Sequence, residues 1–144
     1  NDVKRSDFYK AIRDKLLADI PGLTVDVDRG QMDSPKADYP IPVPLALVNF
    51  SAIRWEVYSE GVECGTLSVD VSYYKAICSA TFSGAEAETE TLELLDSPDE
   101  IYRSLRYFEP PGANAFYRTG EREIRSHGRL IGYRVTFESN VFEK

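Results

Sequence analysis

A chain of 144 residues with a net charge of −7 is long enough for one domain built on a single core, without metal or disulfide staples. Its 42% hydrophobic and 28% charged residues are the balance of a soluble globular protein, and no apolar run approaches the roughly 18 residues of a membrane-spanning helix. The acidic balance argues against a phosphate-binding surface, and so against specific nucleic-acid binding.

Ser6 and Asp7 are N-cap candidates for a first helix, in which Phe8, Ile12, Leu16 and Ile20 recur every four residues and Pro21-Gly22 marks the stop. Leu23, Val25 and Val27 then alternate with Thr24, Asp26 and Asp28, the pattern of a half-buried strand. Pro35, Pro40, Pro42 and Pro44 punctuate the longest irregular stretch, and the last three predict an extended lead-in to an edge strand. Leu45 to Phe50 reads as a buried strand and Trp55 to Tyr58 as a separate one. Gly61 and Gly65 precede a long strand from Thr66 to Lys75, with Leu67, Val69, Val71 and Tyr73 on one face. Residues 79–85 read as a loop of small residues, and Ala85 to Leu95 as a helix. Ser97-Pro98-Asp99-Glu100 has the form of a capping box with proline at the first helical position, and predicts a second short helix burying Ile101, Leu105 and Phe108. Phe116 to Arg125 and Leu130 to Phe142 read as a hairpin around Ser126-His127-Gly128. The expected order is α-β-β-β-β-α-α-β-β across residues 1–144. Strands in runs flanked by helices make an α+β domain with a mostly antiparallel sheet, an N-terminal helix and a central helical segment.

Catalytic signatures are sparse. His127 sits at an expected turn tip, with no signal that Cys64 or Cys78 reaches it. Two cysteines are too few for a disulfide framework and read as free thiols, with a Cys64–Cys78 bridge across a hairpin as the alternative. Asp26 and Asp28 form a D-x-D pair, explained by the solvent side of an alternating strand as well as by a metal site. No phosphate loop and no nucleophile elbow are present. No catalytic activity, metal or cofactor is therefore expected.

Charge is unevenly spread. Residues 76–102 hold seven acids and no base, while residues 103–134 hold seven arginines and no lysine. Such zones pair within a monomer, stay solvated, or meet on neighbouring subunits. On the last alternative the interface residues are Glu86, Glu90 and Glu93 on one side and Arg118, Arg122, Arg125 and Arg129 on the other.

The layout resembles the tail terminator, or tail completion, proteins of long-tailed phages and prophages. The elements that carry the likeness are the helix ending at Ile20-Pro21-Gly22-Leu23, the strand Val25-Asp26-Val27-Asp28 followed by Gly30-Gln31, and the proline-rich approach to Leu45-Ala46-Leu47-Val48. Further along stand Gly61 to Gly65 before a long strand, Leu94-Leu95-Asp96 before Ile101 and Leu105, and a closing hairpin with Val135-Thr136-Phe137. The resemblance implies a structural virion protein that forms a ring, commonly a hexamer, on the finished tail tube and presents the head-joining surface. Its partners would be further copies of itself, the tail tube protein and a head–neck connector. Its place would be the bacterial cytoplasm during assembly and then the virion tail, with no membrane partner. The alternative class is a small cytoplasmic α+β enzyme or ligand-binding domain, with a pocket lined by Trp55, Tyr58, Tyr73, Tyr74, Phe108 and Tyr133.

Overall fold

The structure is a computed structural model that describes residues 4–32, 42–76, 84, 88–125 and 130–143. Helix α1 spans Arg5–Asp19 and buries Phe8, Ile12 and Leu16, one stripe at four-residue spacing. It begins two or three residues earlier than Ser6 or Asp7 would set it. Lys4 is the N-cap and offers no side-chain cap, so Asp7 lies inside the first turn. There its carboxylate still faces the positive end of the helix dipole. Gly22, at φ 81°, reverses the chain after the helix, a backbone state that costs a residue with a Cβ dearly.

Five strands form one mixed sheet. They are β1 (Thr24–Val27), β2 (Leu45–Ser59), β3 (Val62–Ala76), β4 (Tyr117–Arg125) and β5 (Leu130–Glu143), in spatial order β1-β2-β3-β5-β4. β1 runs parallel to β2, and every other pairing is antiparallel. Helix α2 (Glu88–Leu105) connects β3 to β4. The α+β class and the C-terminal hairpin are as the sequence predicts.

Among the described residues seven elements stand where nine were expected, because two pairs merge. Leu45–Phe50 and Trp55–Tyr58 belong to one strand, β2. The register against β3 slips between Phe50 and Ala52, so Ser51 is the extra residue of a bulge. The bulge breaks the alternation that would have read as continuous, while Ile53 and Trp55 return to the same face as Phe50.

The second merger corrects the capping-box expectation. Ser97 does not start a helix; it sits inside α2, which also contains Pro98. Proline has no N–H to donate to the carbonyl four residues back, which here belongs to Leu94. The Ser97 hydroxyl donates to that carbonyl instead, at 2.7 Å. Leu94, Ser97 and Pro98 are all buried, so the orphaned acceptor has no access to water. Ser97→Ala should therefore destabilise the fold by about 1–3 kcal/mol, the range for a buried polar group left unsatisfied. In a Pro98→Ala background an N–H returns to the ladder, and the same substitution should cost much less. Urea unfolding of the four chains of this double-mutant cycle measures the coupling. Of the three residues expected to be buried in that helix, Ile101 and Leu105 are at 1% and 0% exposure, whereas Phe108 lies beyond the end of α2 and is half-buried.

Both helices pack on one face of the sheet. The main core joins Phe8, Ile12 and Leu16 of α1 to Leu94, Ile101 and Leu105 of α2, over Ala46, Val48, Leu67, Val69, Val71, Val135 and Phe137. The far face carries a second, smaller cluster of Met32, Leu45, Leu47 and Tyr74, with Ile124 beside it. Gln31 fixes the segment that brings Met32 there. Its Oε1 accepts from the Arg29 N–H at 2.8 Å, and its Nε2 donates to the Val27 carbonyl at 3.0 Å.

Candidate interaction surfaces

The acidic zone is the outer side of α2. Leu94, Ser97, Pro98, Ile101, Ser104 and Leu105 face inward, which leaves Glu90, Glu93, Asp96 and Asp99 outside together with Leu92 and Leu95, each more than half exposed. Glu93 is engaged within the chain: its Oε2 accepts from Lys75 Nζ at 2.9 Å. That bond holds the Lys75 ammonium above the usual lysine range, against the opposing effect of partial burial. Glu90 is exposed and enters no ion pair among the described residues. Glu86 lies outside the described residues.

The arginine zone divides between the two faces of the sheet. The register of β4 against β5 slips between Arg118 and Gly120, and this bulge reverses the parity of the strand. Arg118 pairs with Phe137 and so sits on the helix side. Its guanidinium lies 3.8 Å from the centre of the Tyr102 ring, and Nη1 donates to Glu121 Oε1 at 2.7 Å. Arg122 pairs with Arg134, whose Nε donates to Ser72 on the far face at 3.0 Å. Arg122 is exposed on that far face. Arg125 is placed by its backbone as the last residue of β4, and Arg129 and His127 lie outside the described residues. Among the described residues no ion pair joins the α2 acids to the β4 arginines.

The six aromatic residues expected to line a pocket do not converge. Tyr73 belongs to the main core and Tyr74 to the cluster on the far face. Trp55 and Val141 both crowd Gly65, and Phe108 packs beside Phe116. Tyr133 is packed against the main core. Tyr58 stands at the tip of the β2–β3 hairpin and is 71% exposed, next to Val57 at 81%. The Tyr58 ring meets Phe142 of β5 edge-on at 5.8 Å. Sequence alternation marked these positions as strand but carried no signal that the strand outruns the helices that would cover it.

The D-x-D pair has a structural role. Asp28 Oδ1 accepts from the Gly30 N–H at 3.0 Å, and Asp26 Oδ1 accepts from the Val27 N–H at 2.7 Å. Both residues are half-buried, where the alternation predicted solvent-facing side chains. They shape the turn after β1 that Gln31 closes. Among the described residues no three His, Cys, Asp or Glu side chains are grouped to hold a metal ion. Cys64 is a free thiol, and Cys78 lies outside the described residues.

An open cleft of about 560 Å³ separates the C-terminal end of α1 from α2, lined by Lys15, Asp19, Ile20, Glu100, Arg103 and Ser104. Asp19 Oδ2 accepts from Lys15 Nζ and from Ser104 Oγ, the latter at 2.8 Å. These two bonds, Lys15 first, hold the Asp19 carboxyl below the usual carboxylate range. A carboxyl depressed on folding adds stability that is full above its ordinary pKa and is lost as pH falls through the depressed value. Asp19→Asn should therefore flatten the acid limb of the stability curve below about pH 3.8 and leave the neutral limb's slope unchanged. Thermal unfolding across pH 2–7 reads this out.

No family model matches this chain, and comparison with curated proteins found no match either. Among the described residues no helix is long and apolar enough to cross a membrane.

Proposed function

We propose that this chain is a structural protein of a phage or prophage tail, whose copies close a ring on the finished tail tube. The ring stops tube growth and offers the surface that joins the head. The observation that carries this reading is the division of exposed charge across the sheet. Glu90 stands on the outer side of α2, on the helix side, and Arg122 stands on the far face. Unlike charges on different sides of one subunit suit a heterologous contact, in which one patch meets another patch on the next copy. A ring closes only through such a contact when it holds more than two copies. The net charge of −7 also favours a lumen through which DNA passes without adhering, since like charges repel.

Arg122→Glu separates folding from assembly. Arg122 faces Arg134 in register, and like charges opposite each other across a ladder are destabilising. Reversing one of them should leave the fold equally stable or gain about 0.2–1 kcal/mol. The same change places an acid where the reading needs a base, and should abolish ring formation. Native mass spectrometry gives the ring mass and urea unfolding the stability. Rings of unchanged abundance from the Arg122→Glu chain would remove Arg122 from the interface.

A further inference from the structure

We infer that the tip of the β2–β3 hairpin docks on the C-terminal end of α2 of a second copy of this chain. This rests on the ring reading and names the apolar part of its interface. Val57 and Tyr58 are 81% and 71% exposed, and Phe142, which touches Tyr58, is 44% exposed. Single exposed apolar residues are ordinary, but Tyr58, the extra residue of a bulge between Val57 and Ser59, adjoins Phe142 at the end of a projecting hairpin to form a patch, while Val57, in register with Glu63, faces the other side of the sheet. Glu56 and Glu60 flank it and Glu63 stands beside Val57, all exposed and without an ion pair among the described residues. The tip is thus apolar with an acidic rim.

The complement lies where α2 ends. Arg103 and Arg106 are exposed there and likewise lack an ion pair among the described residues. The Arg106 guanidinium lies 5.7 Å from the centre of the Tyr102 ring and 6.0 Å from that of Tyr107. Arg118 reaches the same Tyr102 ring, with its charge already matched by Glu121. Tyr107 is 73% exposed and holds φ at 59°, in the left-handed region. It is the left-handed residue just past the end of α2, and its N–H donates to the Phe116 carbonyl at 3.0 Å, which fixes the exposed ring beside Arg106. Aromatic and arginine side chains are the usual anchors of protein interfaces. Acid rim meets base rim, and ring meets ring.

The two patches of one copy lie on opposite faces of the sheet: Phe142, which Tyr58 touches, alternates with Val141, and α2 packs on the Val141 side. Arg118 is level with Phe137 and Val69, and Val62 lies seven residues further along β3. At about 3.3 Å per residue the tip projects roughly 23 Å beyond Arg118. The contact therefore runs from the tip of one copy to α2 of the next, and its repetition is head-to-tail.

The test places the photo-crosslinking residue p-benzoylphenylalanine at position 58, which keeps an aromatic ring there. Isotope-labelled and unlabelled chains are mixed, irradiated and mapped by mass spectrometry. The expected product joins position 58 of one copy to residues 102–107 of another. Arg106→Glu should lower its yield about tenfold, and adding Glu60→Arg to the same chain should restore it. Crosslinks from tip to tip, crosslinks to another segment, or none at the highest soluble concentration would overturn the proposal. Rings of fixed mass with crosslinks elsewhere overturn this docking and leave the ring reading standing. The expected crosslink in an open ladder of masses supports the docking and overturns the ring.

Discussion

Phe137→Ala will lower the stability of this fold by about 3–5 kcal/mol, the range for removing a buried phenylalanine ring. Phe137 is at 0% exposure in the middle of β5. Val69 on β3 and Arg118 on β4 flank it in register, and the Phe116 ring lies 6.1 Å away. Its ring therefore packs in the main core together with Leu105 and Ile101 of α2. Domains of this size hold a total of about 5–15 kcal/mol, so the loss is a large share of the whole. The urea midpoint should fall with the slope unchanged, and the melting temperature should drop by about 10–15 °C. A change under about 1 kcal/mol would mean that the main core is not organised around β5.

Gly132→Ala will open the start of β5. A Cβ at that position would stand 2.0 Å from the carbonyl oxygen of Tyr73, a backbone atom of β3 that cannot turn aside. Relief requires β5 to move away from β3 near the Gly132–Tyr74 pair, which also draws Ile124 of β4 off the cluster on the far face. The expected loss is at least the roughly 1–3 kcal/mol of an overpacked core, with faster amide exchange at residues 130–134 and 122–125. Gly120→Ala is the matched control in the same sheet, because a Cβ there meets nothing within 4 Å. It should fold as the parent does. Equal behaviour of the two alanine chains would contradict the β3–β5 register.

Local pattern made much of this fold legible. The four-residue spacing of Phe8, Ile12 and Leu16 gives a buried stripe because one face of a helix must meet the sheet. The alternation of Leu67, Val69 and Val71, and of Val135 and Phe137, gives the two central strands for the same reason at period two. The misreadings share a cause. Ser97 and Pro98 carry strong local start signals, but a serine hydroxyl satisfies a carbonyl in mid-helix as readily as it caps an N–H. Only packing on both sides of the proline decides between them. Ser51 and the Arg118–Gly120 step are bulges, and a bulge changes which face a side chain takes without changing composition.

The interaction surfaces were legible in charge and not in placement. Acid and base zones follow from counting residues. That Glu93 is held by Lys75, Arg118 by Glu121 and Tyr102, and that Arg122 points to the opposite face, depends on register. Part of the asymmetry also serves α2 itself. Glu88 and Glu90 lie in its first turn and Arg103 in its last, as the helix dipole favours. The hairpin tip had a weaker signal still, because Val57 and Tyr58 look like any strand residues until the helices are seen to end short of them.

We propose that copies of this chain terminate a tail tube, and tube growth measures that directly. Tail tube protein is allowed to polymerise from tail tips, the purified chain is added at a set time, and tube lengths are read by electron microscopy. Growth should stop on addition, with a ring of added density at the distal end of each tube and none along its sides. Tubes that keep lengthening at the same rate, with bare ends, would contradict it.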